Sequence, residues 1–182
     1  TFYVKHRLSG IRDGEPPGAE LPDELVNADL EDHPDYNERV TRARGRWAFQ
    51  FTRPWVTGPL SYRNHAPLER DTAHLKDAVA ASKPAEAFMN AASPGVLTKF
   101  VPNAHYKNED AYVAALADAM KIEYEAIHDA GFLLQIDCPD LGSARHNQYQ
   151  NLSEAEFLKI AERNVEALNH ATANIPPDRM RM

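Results

Sequence analysis

Gly131-Phe132-Leu133-Leu134-Gln135-Ile136-Asp137-Cys138-Pro139-Asp140 is the stretch on which the fold turns. Phe132, Leu133, Leu134 and Ile136 make a short apolar run after a helix that stops at Gly131, the pattern of a strand buried on both faces of a parallel sheet. Polarity then changes abruptly at Asp137, and a loop carrying Arg145 and His146 follows. In α/β proteins ligands bind at the carboxyl ends of parallel strands, where loops present polar groups over a dry, rigid sheet. Asp137 is therefore the first candidate for function. The competing expectation is that it only caps a loop backbone, as Asp before a turn often does.

Working outward, Asn108 with Glu109 and Asp110 forms a helix start, because the amide oxygen accepts from exposed N–H groups and the acids suit the positive end of the dipole. Tyr112, Leu116, Met120, Tyr124 and Ile127 recur at helical spacing up to Gly131. Ser153 and Glu156 predict a capping box, Leu152 and Phe157 a hydrophobic staple, and Ile160, Ala161, Val165 and Leu168 a buried face. Upstream, Trp47, Phe49 and Phe51 alternate as a half-buried strand does. The expected order is then strand 55–62, helix 68–81 with Leu75, Ala78 and Val79 inward, strand 86–92 closing on Ser93-Pro94-Gly95, helix 109–130, strand 132–137, helix 154–173 and a strand from Arg179. Such alternation predicts an α/β fold with parallel strands. With no glycine-rich phosphate fingerprint after any strand, a partial TIM (β/α)8 barrel is favoured over an open dinucleotide-binding sheet. Residues 47–182 are the barrel portion. Residues 1–46 contribute an irregular acidic excursion from residue 12, in which Pro16, Pro17, Pro22 and Pro34 leave room for at most a turn of helix around 21–28. Its acids read as a solvated face rather than a calcium loop.

With 27 acidic against 20 basic side chains, the net charge of -7 argues against a nucleic-acid backbone as partner. Hydrophobic residues at 43% and charged residues at 26% match an ordinary globular domain. No apolar run is long enough to span a bilayer, and no basic-then-apolar leader opens the chain, so neither membrane nor export is expected. Cys138 is the only cysteine; it allows neither an internal disulfide nor a multi-thiolate metal site, and a reducing cytoplasm fits. Thr1 leads straight into Phe2-Tyr3-Val4, and Arg179-Met180-Arg181-Met182 reads as a strand with nothing after it, so a piece of a longer polypeptide is expected.

Eight histidines include no His-Glu-x-x-His pair. His146 beside Arg145 stands apart from the others, since the two can hold an anionic substrate over a strand end; a loop salt bridge from this pair to Asp140 is the alternative. Cys138 is a poor nucleophile beside Asp137, whose charge raises a thiol pKa. Asp137 and Asp140 offer paired carboxylates, with no separation fixed by sequence.

Leu134-Gln135-Ile136-Asp137-Cys138-Pro139-Asp140-Leu141, preceded by Glu123-Tyr124-Glu125-Ala126-Ile127-His128-Asp129-Ala130-Gly131-Phe132, together with Thr57-Gly58-Pro59, Val165-Glu166-Ala167-Leu168-Asn169 and Pro176-Pro177-Asp178-Arg179, resembles the catalytic barrel of the cobalamin-independent methionine synthase family. The last two of these stretches resemble especially the shorter branch that includes epoxyalkane:coenzyme M transferase, and the likeness runs over about residues 47 to 182. It implies a zinc-dependent transfer of an alkyl group, such as methyl from a methyltetrahydrofolate-like donor, to a thiol such as homocysteine. It also implies that Asp137 binds the substrate amine and that Thr57 and Gly58 border the same cavity; Cys138, next to Asp137, and Arg145 and His146, from their place in the loop after the strand, join them in the expected substrate-binding set. A Glu follows the Asp in methionine synthase where Cys138 stands here, so the resemblance does not fix the thiol as homocysteine. The family's first zinc ligands, a His and a Cys two residues apart, come just after the strand that here starts at Arg179. Zinc ligands are thus expected beyond Met182, with none in this chain, which by itself is expected to be inactive and, as an open half-barrel, poorly soluble. Two other classes stay open: a metal-free barrel related to uroporphyrinogen decarboxylase, and a catalytically silent binding domain.

Overall fold

The structure, a computed structural model, describes residues 2–17, 30, 32–46 and 52–182. The element most fully specified by its sequence is helix α4, Glu109–Asp129. Asn108 Oδ1 accepts from the Ala111 amide at 2.9 Å, capping the helix as expected. Tyr112, Leu116, Met120, Tyr124 and Ile127 are all buried to within 1% exposure, each contributing roughly 1.5–3 kcal/mol relative to an exposed position. Gly131 ends the helix at φ +94°, a left-handed conformation that side chains resist.

In chain order, a 3-10 turn at Phe2–His6 leads to strand β1 (Ile11–Asp13), helix α1 (Pro34–Arg46), β2 (Pro54–Val56), α2 (Ala66–Ser82), β3 (Phe88–Ala92), α3 (Pro94–Phe100), α4, β4 (Leu133–Asp137), α5 (Glu154–Thr172) and β5 (Met180–Arg181). The fold is mixed α/β. β3, β4 and β5 form a parallel sheet in sequential order, with Asn90 opposite Gln135, Ala92 opposite Asp137, and Gln135 opposite Arg181. α4 packs on the face bearing Met89, Ala91, Leu134, Ile136 and Met180, which joins the hydrophobic core. No closed barrel is formed by the described residues.

Several expectations give way. The strand over 55–62 is only Pro54–Val56, and it pairs antiparallel with β1, outside the parallel sheet. Gly10 permits that pairing: at φ +73° it lies so close to residue 58 that a Cβ would stand 2.4 Å from the Gly58 carbonyl oxygen. Chain 34–46, expected to be irregular, is helix; Pro34 opens it, where the missing N–H is not needed. Ser93-Pro94-Gly95 does not end in a turn but starts α3, with Ser93 Oγ accepting from the Val96 amide at 3.1 Å. The alternating run from Trp47 to Phe51 and the turn of helix at 21–28 lie outside the described residues.

α5 has its capping box, with Ser153 and Glu156 bonded reciprocally. Its buried line, however, runs through Phe157, Asn164 and Ala171, while Val165 is 40% exposed. An asparagine has replaced the expected valine in the interior because it has a buried hydrogen-bond partner, Asp140. On α2, Leu75 and Val79 do face the core, whereas Ala78 is exposed and Leu68 and Thr72 are buried.

Candidate functional site

The strand period of two sets the site. On the sheet face turned away from α4 stand Phe88, Asn90, Leu133, Gln135, Asp137 and, across from Gln135, Arg181. All are exposed or half-exposed, so β4 is not buried on both faces as its apolar run predicts. Arg181 Nε donates to Gln135 Oε1 at 2.8 Å, and its guanidinium carbon lies 3.7 Å from the Phe88 ring centroid. Hydrogen bond and cation–π contact together hold that cation against the sheet. Asp137 ends β4 with an exposed side chain, while its carbonyl accepts from the Ser93 amide at 3.0 Å and extends the ladder past β3.

Behind this rim the groups are shielded. Cys138 is half-buried, and its thiol is pushed up to about 12, chiefly by burial and then by the Asp140 and Asp137 carboxylates, against a hydrogen bond with Ser93. It is a neutral thiol at physiological pH and a weak nucleophile. Asp140, 6% exposed, accepts from Ser93 Oγ at 2.6 Å and from Asn164 Nδ2 at 3.0 Å. Burial raises its pKa, and these hydrogen bonds oppose the rise. The Asp137/Asp140 pair therefore divides into an exposed carboxylate and a buried one.

Arg145 does not pair with Asp140: its Nη1 donates to the Tyr149 and Gln150 carbonyls at 2.9 and 3.1 Å, tying the loop to itself, and Asp140 is held by Ser93 and Asn164 instead. His146 is exposed in the 3-10 turn Ser143–His146. Lys99 of α3 braces the same loop by donating to Asn147 Oδ1 at 2.6 Å. Thr57 and Gly58 follow β2, with both amides on the Gly10 carbonyl at 2.8 and 3.2 Å, and belong to the antiparallel pair rather than the parallel sheet. The structure thus sets Asp137 on the open rim with Cys138 half-buried behind it, and adds Asn90, Gln135 and Arg181 on the open face, which the sequence pattern does not single out. The missed signal is the polar residue two before Asp137 and the one at Asn90, both in phase with the rim carboxylate.

Among the described residues, no group of three or more His, Cys, Asp or Glu side chains is placed to hold a metal ion. No helix of the described residues is long and apolar enough to cross a membrane. Set against family models, curated proteins and solved structures, the chain has no match.

Proposed function

We propose that the open face of the β3–β4–β5 sheet is part of the inner wall of a (β/α)8 barrel, and that the protein is an alkyl transferase acting on a thiol, of the zinc-dependent methionine-synthase type. The observation that carries this reading is Asp137: a carboxylate exposed at the carboxyl end of a parallel strand, above a face lined by Asn90, Gln135 and Arg181. Sequential strand order with the core helix on one face is how a barrel wall is built, and the apolar groups left at its margins support further elements beside it. Phe88 is 44% exposed on the open face, and Leu158 and Val165 are 51% and 40% exposed along α5. In a complete barrel such groups would be covered.

In this reading Asp137 binds the ammonium group of an amino-acid thiol by a charge-assisted hydrogen bond and so orients the sulfur. Asn90 and Gln135 supply neutral donors and acceptors below it. Among the described residues no three His, Cys, Asp or Glu side chains converge to hold zinc. No step through the ion is assigned to these side chains. Zinc would supply the thiolate chemistry when bound.

Arg181 favours a second reading, a metal-free barrel of the uroporphyrinogen decarboxylase kind in which Asp and Arg hold an acidic substrate. Metal analysis of the full-length protein separates the two. Near-stoichiometric zinc, with methyl transfer to L-homocysteine or to coenzyme M from a suitable donor, is the expected result. A zinc-free protein without thiol alkylation would overturn the first reading.

A further inference from the structure

We infer that Asp140 is a positioning residue for the strand-end site, locking the segment that carries Asp137 and Cys138 onto α3 and α5 through Ser93 and Asn164. The inference rests on the reading of that rim as the binding site. Ser93 grips the segment twice: its amide donates to the Asp137 carbonyl at 3.0 Å and its hydroxyl donates to Asp140 Oδ1 at 2.6 Å, bracketing Cys138 and Pro139. The other carboxylate oxygen accepts from Asn164 Nδ2 at 3.0 Å, and Asn164 Oδ1 in turn accepts from Arg163 Nε and Nη2 at 3.3 and 3.2 Å. Each oxygen of Asp140 is thus fixed to a different helix. Gly95 provides the space, since a Cβ there would stand 2.0 Å from Asp140 Oδ2.

A buried carboxylate whose side-chain donors are both neutral is a costly way to fill space; an apolar residue would serve packing better. What the carboxylate adds is direction. Two acceptor oxygens meeting two donors on separate elements define one orientation for the loop, whereas an apolar contact tolerates sliding. Arg163 donates to the Asn164 amide oxygen, which keeps the Asn164 side chain turned with its NH2 group toward Asp140.

The donor–acceptor pattern gives a specific test. Asp140→Asn leaves one acceptor oxygen for the two donors Ser93 Oγ and Asn164 Nδ2, so one of the two bonds is lost or reversed, while Asp140→Asn with Asn164→Asp again sets an acceptor opposite a donor at that contact. Amide hydrogen exchange over 137–149 in the full-length protein should accelerate about tenfold in D140N, the loss of one hydrogen bond to a charged group, and return to within about threefold of wild type in the double variant. N164A, which removes the donor without a clash, should give the same local acceleration if D140N does not fold. L-Homocysteine affinity should follow the same order, weakened in D140N and recovered in the double variant. Unchanged exchange in D140N and N164A, or no recovery in the double variant, would overturn the inference. If wild type does not bind L-homocysteine, the proposed function fails, and the exchange data still decide the role of Asp140.

Discussion

Gly95→Ala tests how tightly the ground beneath the rim is built. Gly95 is in the first turn of α3, where an alanine in open space would stabilise the helix by up to about 1 kcal/mol. Here its Cβ would stand 2.0 Å from Asp140 Oδ2, 2.5 Å from Asn164 Nδ2 and 2.7 Å from Asp140 Cγ. Reaching even a 3.0 Å contact requires the carboxylate oxygen to retreat by 3.0 − 2.0 = 1.0 Å. Neither neighbour is a flexible chain end, because both are short, buried and bonded to each other. Overpacking of this kind costs about 1–3 kcal/mol. Loss of the hydrogen bond between Asn164 and the Asp140 carboxylate adds about 1.5–3 kcal/mol. Set against the helix gain, the expected net loss is about 1.5–5 kcal/mol, or a fall of roughly 10 °C in Tm for a domain of this size. Urea unfolding followed by circular dichroism measures it. A G95A protein as stable as wild type, or more so, would refute the claim that the Asp140 carboxylate is fixed in place.

Glu123→Ala should destabilise by about 3 kcal/mol, because it strands the buried Arg7 guanidinium 2.8 Å away and removes the acceptor of the Tyr62 hydroxyl, although Asp71 still pairs with Arg7; thermal unfolding reads the loss. Ser153→Ala should cost about 1 kcal/mol by removing the α5 cap, visible as a lower urea midpoint with an unchanged slope. The pH dependence of Asp140 has a definite sign: burial raises its folded pKa above 3.8, so its contribution to stability is complete below that value and is lost as pH rises through the folded pKa. The stability of wild type relative to D140N should therefore improve on acidification from neutral pH toward that value, and a relative decline in urea midpoints across the series would contradict the assignment.

What the sequence made legible was local and periodic. α4 and α5 could be placed to within a residue because capping groups, apolar spacing and a left-handed glycine all act over a few neighbours. The parallel order of β3, β4 and β5 followed from the alternation of those elements. The failures have long-range causes. β2 was shortened and turned antiparallel by a close approach to Gly10, 48 positions away by 58 − 10, which no local pattern announces. Val165 was expected inside α5 on hydropathy, yet Asn164 holds that place because its partner, Asp140, arrives from another element. At the rim, Asp137 was visible from its position at a strand end. Asn90 and Arg181 were not, since only the register of three strands brings them beside Gln135. α3 was hidden by reading Ser-Pro-Gly as a turn when serine followed by proline also opens a helix.

The role of Asp137 is tested most directly by the affinity of the protein for L-homocysteine, measured by titration calorimetry with Asp137 intact and as Asp137→Asn. An exposed carboxylate that binds the substrate ammonium predicts a loss of about tenfold or more in the variant, with Tm unchanged. Equal affinities in the two proteins would remove Asp137 from the site and, with it, the proposed role of the open sheet face.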